Sequence, residues 1–158
     1  MMKFSKRLLR MSVLACAGLL SAAATAEQSA ALHILEIKDN RGGELRPQAS
    51  RIAQLRQSGQ SVRITGDVCY STCTMYLGLA QTCVSPRTVF GFHAPTSYGR
   101  RLDPQTFETA SRIIAEHYPP VLQDWYMAYG RHKYVGLLKV TGAELIRIGG
   151  ARPCPTVG

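Results

Sequence analysis

Residues 31–43 (ALHILEIKDNRGG), read together with residues 47–58 (PQASRIAQLRQS) and 61–65 (SVRIT), decide the fold. The first eight form a nearly continuous apolar run, as in a strand buried on both faces of a parallel sheet. Asp39-Asn40-Arg41-Gly42-Gly43 is a turn. Pro47 sits near the first turn of a helix and Gly59 just past its end. Ala49, Ile52, Ala53 and Leu55 share one apolar face of that helix. Residues 61–65 alternate and read as a second strand. Strand, turn, helix, strand is the order of a right-handed βαβ unit, so the chain is expected to be α/β.

Working outward toward the C-terminus, residues 66–70 (GDVCY) read as a turn and residues 71–80 as a short buried helix. Short strands follow at 82–84 and 88–93. Asp103-Pro104 supplies an N-cap and an N1 proline for a helix with Phe107, Ala110 and Ile114 at core spacing. Pro119-Pro120 must interrupt it, because an interior proline removes a donor and clashes with the preceding turn. A helix over 121–129 ends at Gly130. Thr141 and Glu144 form a capping box for a last helix that stops near Gly149-Gly150. Repeats and linkers are lacking, and 158 residues suit a single domain.

Outward in the other direction lies an export signal, residues 1–26. Residues 1–10 are basic, and residues 11–20 (MSVLACAGLL) are apolar but too short to span a bilayer. Ala24-Thr25-Ala26 offers a cleavage site before Glu27. A lipoprotein reading competes, since Val13-Leu14-Ala15-Cys16 resembles a lipobox, but it leaves only a few apolar residues before Cys16. Residues 27–158 are thus expected to be a periplasmic or secreted protein without stable membrane insertion. The formal net charge of +9 has the same origin in part. Lys3, Lys6, Arg7 and Arg10 belong to the signal, which has no acid, so the excess elsewhere is five. It is scattered, with no basic stripe interleaved with aromatics, and a nucleic-acid partner is not expected.

Export changes the reading of the cysteines. Cys69, Cys73, Cys83 and Cys154 remain after the signal, an even number in an oxidising compartment. Two disulfides are expected, with three connectivities possible and Cys154 favoured to join Cys73 or Cys83. A zinc site from Cys69, Cys73, Cys83 and His93 is the competing reading, although the C-x2-C spacing of structural zinc sites is missing. No sequence motif calls for another metal or a cofactor.

Chemistry is sought at strand ends, where open α/β sheets place their sites. Ser71 stands at an expected helix start, near backbone N–H groups and the positive end of the helix dipole. The N–H groups of Thr72 and of a glycine in the Gly42-Gly43 turn are candidate oxyanion donors. His93 ends the strand Val89-Phe90-Gly91-Phe92-His93 and is the candidate base that a serine nucleophile requires. Each piece also has a structural reading: Ser71 as an N-cap, Gly42-Gly43 as a positive-φ turn, His93 as a hydrogen-bonded structural histidine. His33, His117 and His132 have no motif around them, and Arg100-Arg101 reads as a solvated pair.

The order of these pieces resembles the Clp protease proteolytic subunit and other members of the ClpP/crotonase superfamily. Asn40-Arg41-Gly42-Gly43 after a strand is similar to the family's N-S-P-G-G segment. Gly66-Asp67-Val68-Cys69-Tyr70-Ser71 resembles the stretch that ends in the nucleophilic serine, and residues 85–93 resemble the one that ends in the catalytic histidine. Cys69-Tyr70-Ser71-Thr72-Cys73-Thr74, Cys83-Val84 and Gly91-Phe92-His93-Ala94 are similar to small exported bacterial proteins of this superfamily.

The resemblance spans about residues 31–154. It implies a ClpP/crotonase-type βαβ sheet with flanking helices, Ser71 as nucleophile, His93 as general base, and Gly43 and Thr72 as oxyanion-hole donors. It also exposes departures. Arg41 and Glu44 flank the Gly-Gly turn, Pro119-Pro120 breaks a long helix, and residues 131–140 lack the acid that completes the family's triad. Asp124 and Glu144 are the substitutes to consider.

Two functions follow as expectations. One is an exported serine hydrolase, peptidase-like, working by acyl transfer. The other is a non-catalytic relative that binds a peptide or an envelope protein in the same groove. A homo-oligomer is compatible with either, whereas a cytoplasmic unfoldase partner is not expected. A carboxylate reaching His93 favours hydrolysis, and a His93 with only backbone or solvent neighbours favours binding.

Overall fold

The computed structural model describes residues 34–155. Residues 1–26, expected to be an export signal, with Cys16 among them, and His33 lie outside the described residues. β1 (Leu35–Ile37), α1 (Leu45–Ser58) and β2 (Val62–Ile64) build the expected unit, with Leu35 opposite Val62 in a parallel pair. β1 is not the strand buried on both faces that its apolar run suggested: it stands at the edge of its sheet, with Ile37 buried, Leu35 half-buried, and Glu36 and Ile34 exposed. β4 (Thr82–Val84) adds to the far side of β2, also parallel, to give the order β1-β2-β4. Ile52 and Leu55 bury one face of α1 in the core, where the helix meets residues 71–78, and Ala49 packs at its margin. Ala53 is exposed, so the apolar face is narrower than expected. The helix ends at Gly59, whose φ of 65° is the left-handed C-cap that glycine takes without steric cost.

The single expected sheet proves to be two. Val68–Tyr70, read as part of a turn, form β3, which pairs in parallel with β5 (Val89–Phe92). On its other side β5 pairs antiparallel with β8 (Leu138–Thr141), a strand the sequence did not announce. Strands of three or four residues are too short for alternation to register, and β8 alternates only between half-buried and exposed. The first sheet runs into the second where Asn40 bridges to Cys69: the Asn40 N–H donates to Val68 O (3.0 Å) and the Tyr70 N–H to Asn40 O (2.8 Å).

Ser71–Gly78, expected as a short buried helix, is a 3-10 helix whose residues 72–77 are all buried. A two-stranded hairpin follows, β6 (Thr96–Ser97) and β7 (Arg100–Arg101). Its tip residues Tyr98 and Gly99 have φ of 49° and 77°, as a two-residue primed turn requires, and Tyr98 is fully exposed. α2 (Pro104–Ala115) opens as expected, with the Asp103 carboxylate accepting from the Thr106 N–H at 3.0 Å. The helix is interrupted as expected: α2 stops at Ala115, and Pro119 and Pro120 stand at the N-cap and first position of α3 (Pro120–Ala128). At α4 (Gly142–Arg147) only half of the capping box forms. Thr141 Oγ1 accepts from the Glu144 N–H, but the Glu144 carboxylate turns outward to Arg147. Between helices and sheets lies an aromatic core, in which Phe92 meets Tyr118 and Trp125 edge-on at 5.7 and 5.1 Å.

Two disulfides close the fold, Cys69–Cys73 and Cys83–Cys154. Cys154 thus takes one of its two expected partners. All four sulfurs are used, which removes the thiolates that the zinc reading needs. The tail beside Cys154 runs along β4: the Val84 N–H donates to Arg152 O and the Cys154 N–H to Val84 O, at 2.8 and 2.9 Å. No helix among the described residues is long and apolar enough to cross a membrane.

Candidate active site

Ser71 follows β3 and His93 follows β5, so both leave the C-terminal ends of neighbouring parallel strands, where Tyr70 stands opposite Gly91. The turn after β1 lies beside them through the Asn40–Cys69 bridge. Three strand ends therefore converge, although Ser71 sits beyond β3 and not directly after β2 as the sequence implied.

Strand gives way to 3-10 helix at Ser71, and the change of direction is concentrated there. Its φ is 56°, one of two positive values at non-glycine residues among the described residues. Left-handed backbone with a side chain costs about 1–3 kcal/mol and persists only where the surroundings impose it. A strained serine on a sharp strand-to-helix turn projects its hydroxyl outward, which is the geometry of a nucleophile elbow. Gly42 makes room for it: its φ is 86°, and a Cβ there would stand 2.5 Å from Ser71 Cβ. The Asn40 side chain shapes the same turn by accepting from the Gly42 N–H at 2.7 Å.

The Ser71 hydroxyl donates to His93 Nε2 at 2.8 Å. His93 Nδ1 lies 2.6 Å from the carbonyl oxygen of Ala94. A carbonyl only accepts, so Nδ1 carries the proton and Nε2 presents its lone pair to the serine. That is the tautomer a general base needs. A backbone dipole therefore stands where the expected triad has a carboxylate. Among the described residues no acidic side chain hydrogen-bonds or ion-pairs with His93. Asp124 is exposed on α3, and Glu144 is held by Arg147 at 2.6 Å.

The expected oxyanion donors are differently disposed. The Gly43 N–H is already engaged, donating to Thr72 Oγ1 at 2.8 Å across 29 residues. The Thr72 side chain, buried between the two segments, thus covers one of the two N–H groups assigned to an oxyanion. The Thr72 N–H itself heads the 3-10 helix.

Two buried tyrosines, which carry no motif, hold the backbone of the pair. Thr74 Oγ1 donates its single proton to Ser71 O at 2.7 Å, so the Tyr118 hydroxyl, 2.6 Å from Thr74 Oγ1, is the donor between those two. Tyr126 donates to His93 O at 3.2 Å. Burial pushes both phenols well above their usual range, opposed at Tyr118 by the Thr74 bond and at Tyr126 by nearby Arg131. Both stay protonated donors and neither is a base. No signal in the sequence marked them, because their partners Thr74 and His93 lie 44 and 33 residues away.

An open pocket of ≈ 980 Å³ lies over Ser71 and His93. One wall is Leu102, Ala110, Ile113 and Ile114 from the approach to α2 and α2 itself. Thr96, Ser97 and Tyr98 of the hairpin form another, and Glu44 and Arg46 stand at the mouth. Elsewhere His117 Nδ1 lies 2.7 Å from Ile113 O, and His132 rests on Phe107, so neither enters the pocket. No group of three potential metal ligands occurs among the described residues. Compared with known proteins, the chain matches no family model, no curated protein and no solved structure.

Proposed function

We propose that the chain is an exported serine hydrolase of the ClpP/crotonase type, cleaving peptide or ester bonds by acyl transfer. One observation carries the reading: the 2.8 Å hydrogen bond from Ser71 to His93 Nε2, with Nδ1 committed to Ala94 O. Ser71 Oγ attacks the acyl carbon while its proton passes to Nε2. His93 returns that proton to the leaving amine or alcohol, and water, activated by the same nitrogen, then hydrolyses the acyl ester. A neutral carbonyl steadies the imidazolium less than a carboxylate does, so the enzyme is expected to be slow. To let the Gly43 N–H meet an oxyanion, the Thr72 hydroxyl must rotate away from the Gly43 N–H at 2.8 Å and give up its longer bond to Gly43 O at 3.4 Å, at about 1 kcal/mol for each. The aliphatic wall of the pocket suits an uncharged apolar group on the acyl side. A periplasmic or secreted location is supported by the two disulfides and by the signal-like residues 1–26.

The second reading is a non-catalytic module that binds a peptide or envelope protein in the same pocket. It is favoured by the missing carboxylate at His93 and by the Thr72 hydroxyl on the Gly43 N–H. Fluorophosphonate labelling of the purified oxidised protein separates the two. Hydrolase chemistry predicts one adduct, abolished by Ser71→Ala and slowed about 10²–10⁴-fold by His93→Gln. A wild-type protein that takes no label leaves the binding module.

A further inference from the structure

We propose that the Cys69–Cys73 disulfide positions Ser71 against His93, so that the site assembles only once this bridge has formed. The proposal rests on the hydrolase reading for its effect on rate, while the placement of Ser71 is independent of it. Ser71 is the midpoint of the closed segment Cys69-Tyr70-Ser71-Thr72-Cys73. One anchor, Cys69, is locked in β3 between Asn40 and Phe90. The other, Cys73, lies in the 3-10 helix, and both are fully buried. Between two fixed ends the chain must reverse within three residues, and the left-handed φ of 56° at Ser71 accomplishes that reversal.

Other restraints act on Ser71, namely the close approach of Gly42 and the bond from Thr74 to Ser71 O. Neither is covalent, and both form only once the turn is in place. With the bridge open, Cys73 is free to shift and Ser71 to relax to negative φ, which swings its Cβ–Oγ bond off the line to Nε2. Closing the bridge takes two electrons and two protons from the Cys69 and Cys73 thiols. A protein disulfide of the oxidising compartment accepts them and becomes a dithiol. A chain still in the reducing cytoplasm therefore carries Ser71 unplaced.

The test compares Cys69→Ala/Cys73→Ala with Cys83→Ala/Cys154→Ala. Two readouts are used, fluorophosphonate labelling rate and the imidazole ¹⁵N shifts of His93, the second needing no activity. Without the first bridge the protein is expected to stay folded and to lose the shift pattern of an Nδ1-protonated ring with a bonded Nε2. Labelling should fall about 10- to 100-fold, the fold-change equivalent of the strain at one such residue. Without the second bridge both readouts should stay native at a temperature where the fold persists. In that same variant, reducing the one remaining bridge with a phosphine should abolish both signals, and reoxidation should restore them.

Native shifts and native labelling in Cys69→Ala/Cys73→Ala overturn the proposal, as does global unfolding of that variant, which makes the bridge a folding element instead. A wild type that never labels, but whose His93 shifts still depend on the bridge, refutes the hydrolase and leaves the positioning role standing.

Discussion

The Cys69–Cys73 bridge spans four positions and the Cys83–Cys154 bridge spans 71, and the regions they close are held for different reasons. The chain-entropy account gives the short loop about 2 kcal/mol of stabilisation and the long one about 4.4 kcal/mol, because longer loops lose more freedom in the unfolded state. At β4 and the tail, the bridge joins segments already paired through Val84, Arg152 and Cys154, with the Arg152 guanidinium on the Ala80 carbonyl. There the tail bridges to the strand β4 at Val84 and Pro153, and the disulfide works as a clamp on that pairing. At the turn around Ser71 the same covalent chemistry closes a segment that contains a strained residue. On the positioning proposal, a crosslink acts mainly on stability where its loop is long, and mainly on local geometry where its loop is short and encloses a residue with left-handed backbone.

The largest expected difference between the two bridges is in global stability. Urea unfolding of Cys83→Ala/Cys154→Ala should show a loss of about 4 kcal/mol, against about 2 kcal/mol for Cys69→Ala/Cys73→Ala. Equal losses, or the reverse order, would mean that the two bridges do not divide the work in this way. A smaller effect sharpens the account of the turn. Thr72→Val keeps the buried volume but frees the Gly43 N–H, so labelling of Ser71 should speed up about fivefold, the equivalent of about 1 kcal/mol. The stopped-flow or gel-based labelling rate checks it. A slower rate would mean that the Thr72 hydroxyl helps the reaction.

The helix boundaries were legible because their signals are local. Gly59 as a C-cap, the Asp103-Pro104 helix start and the helix break at Pro119-Pro120 each act within a few residues and appear where expected. The apolar run before Asp39, by contrast, gives only the short edge strand β1, because burial of both its faces depends on neighbours that a local pattern does not specify. β3 was not legible, since Val68-Cys69-Tyr70 follows Gly66-Asp67 and is too short to show a period. Gly66 is there for another reason: a side chain on it would run into the Lys38 carbonyl, a clash between segments that local reading cannot see.

At the site, residue types and order pointed to Ser71 and His93, and the structure brings them together. What escaped was everything set by distant partners. The Thr72–Gly43 bond joins residues 29 apart, and the Tyr118–Thr74 bond joins residues 44 apart. The Ala94 carbonyl that His93 Nδ1 meets, where the resemblance led us to expect an acid, is a backbone group, present at every residue and therefore silent in any motif.

The most direct test is a crystal structure of the oxidised protein after reaction with a small fluorophosphonate. In that reaction Ser71 Oγ bonds to phosphorus, fluoride leaves and the serine proton passes to His93 Nε2. The account predicts an adduct on Ser71 with His93 still beside that oxygen. It also predicts the phosphoryl oxygen on the Gly43 and Thr72 N–H groups, and the Thr72 hydroxyl turned away from Gly43. An unmodified Ser71 still bonded to His93, with Thr72 Oγ1 still on the Gly43 N–H, would contradict it.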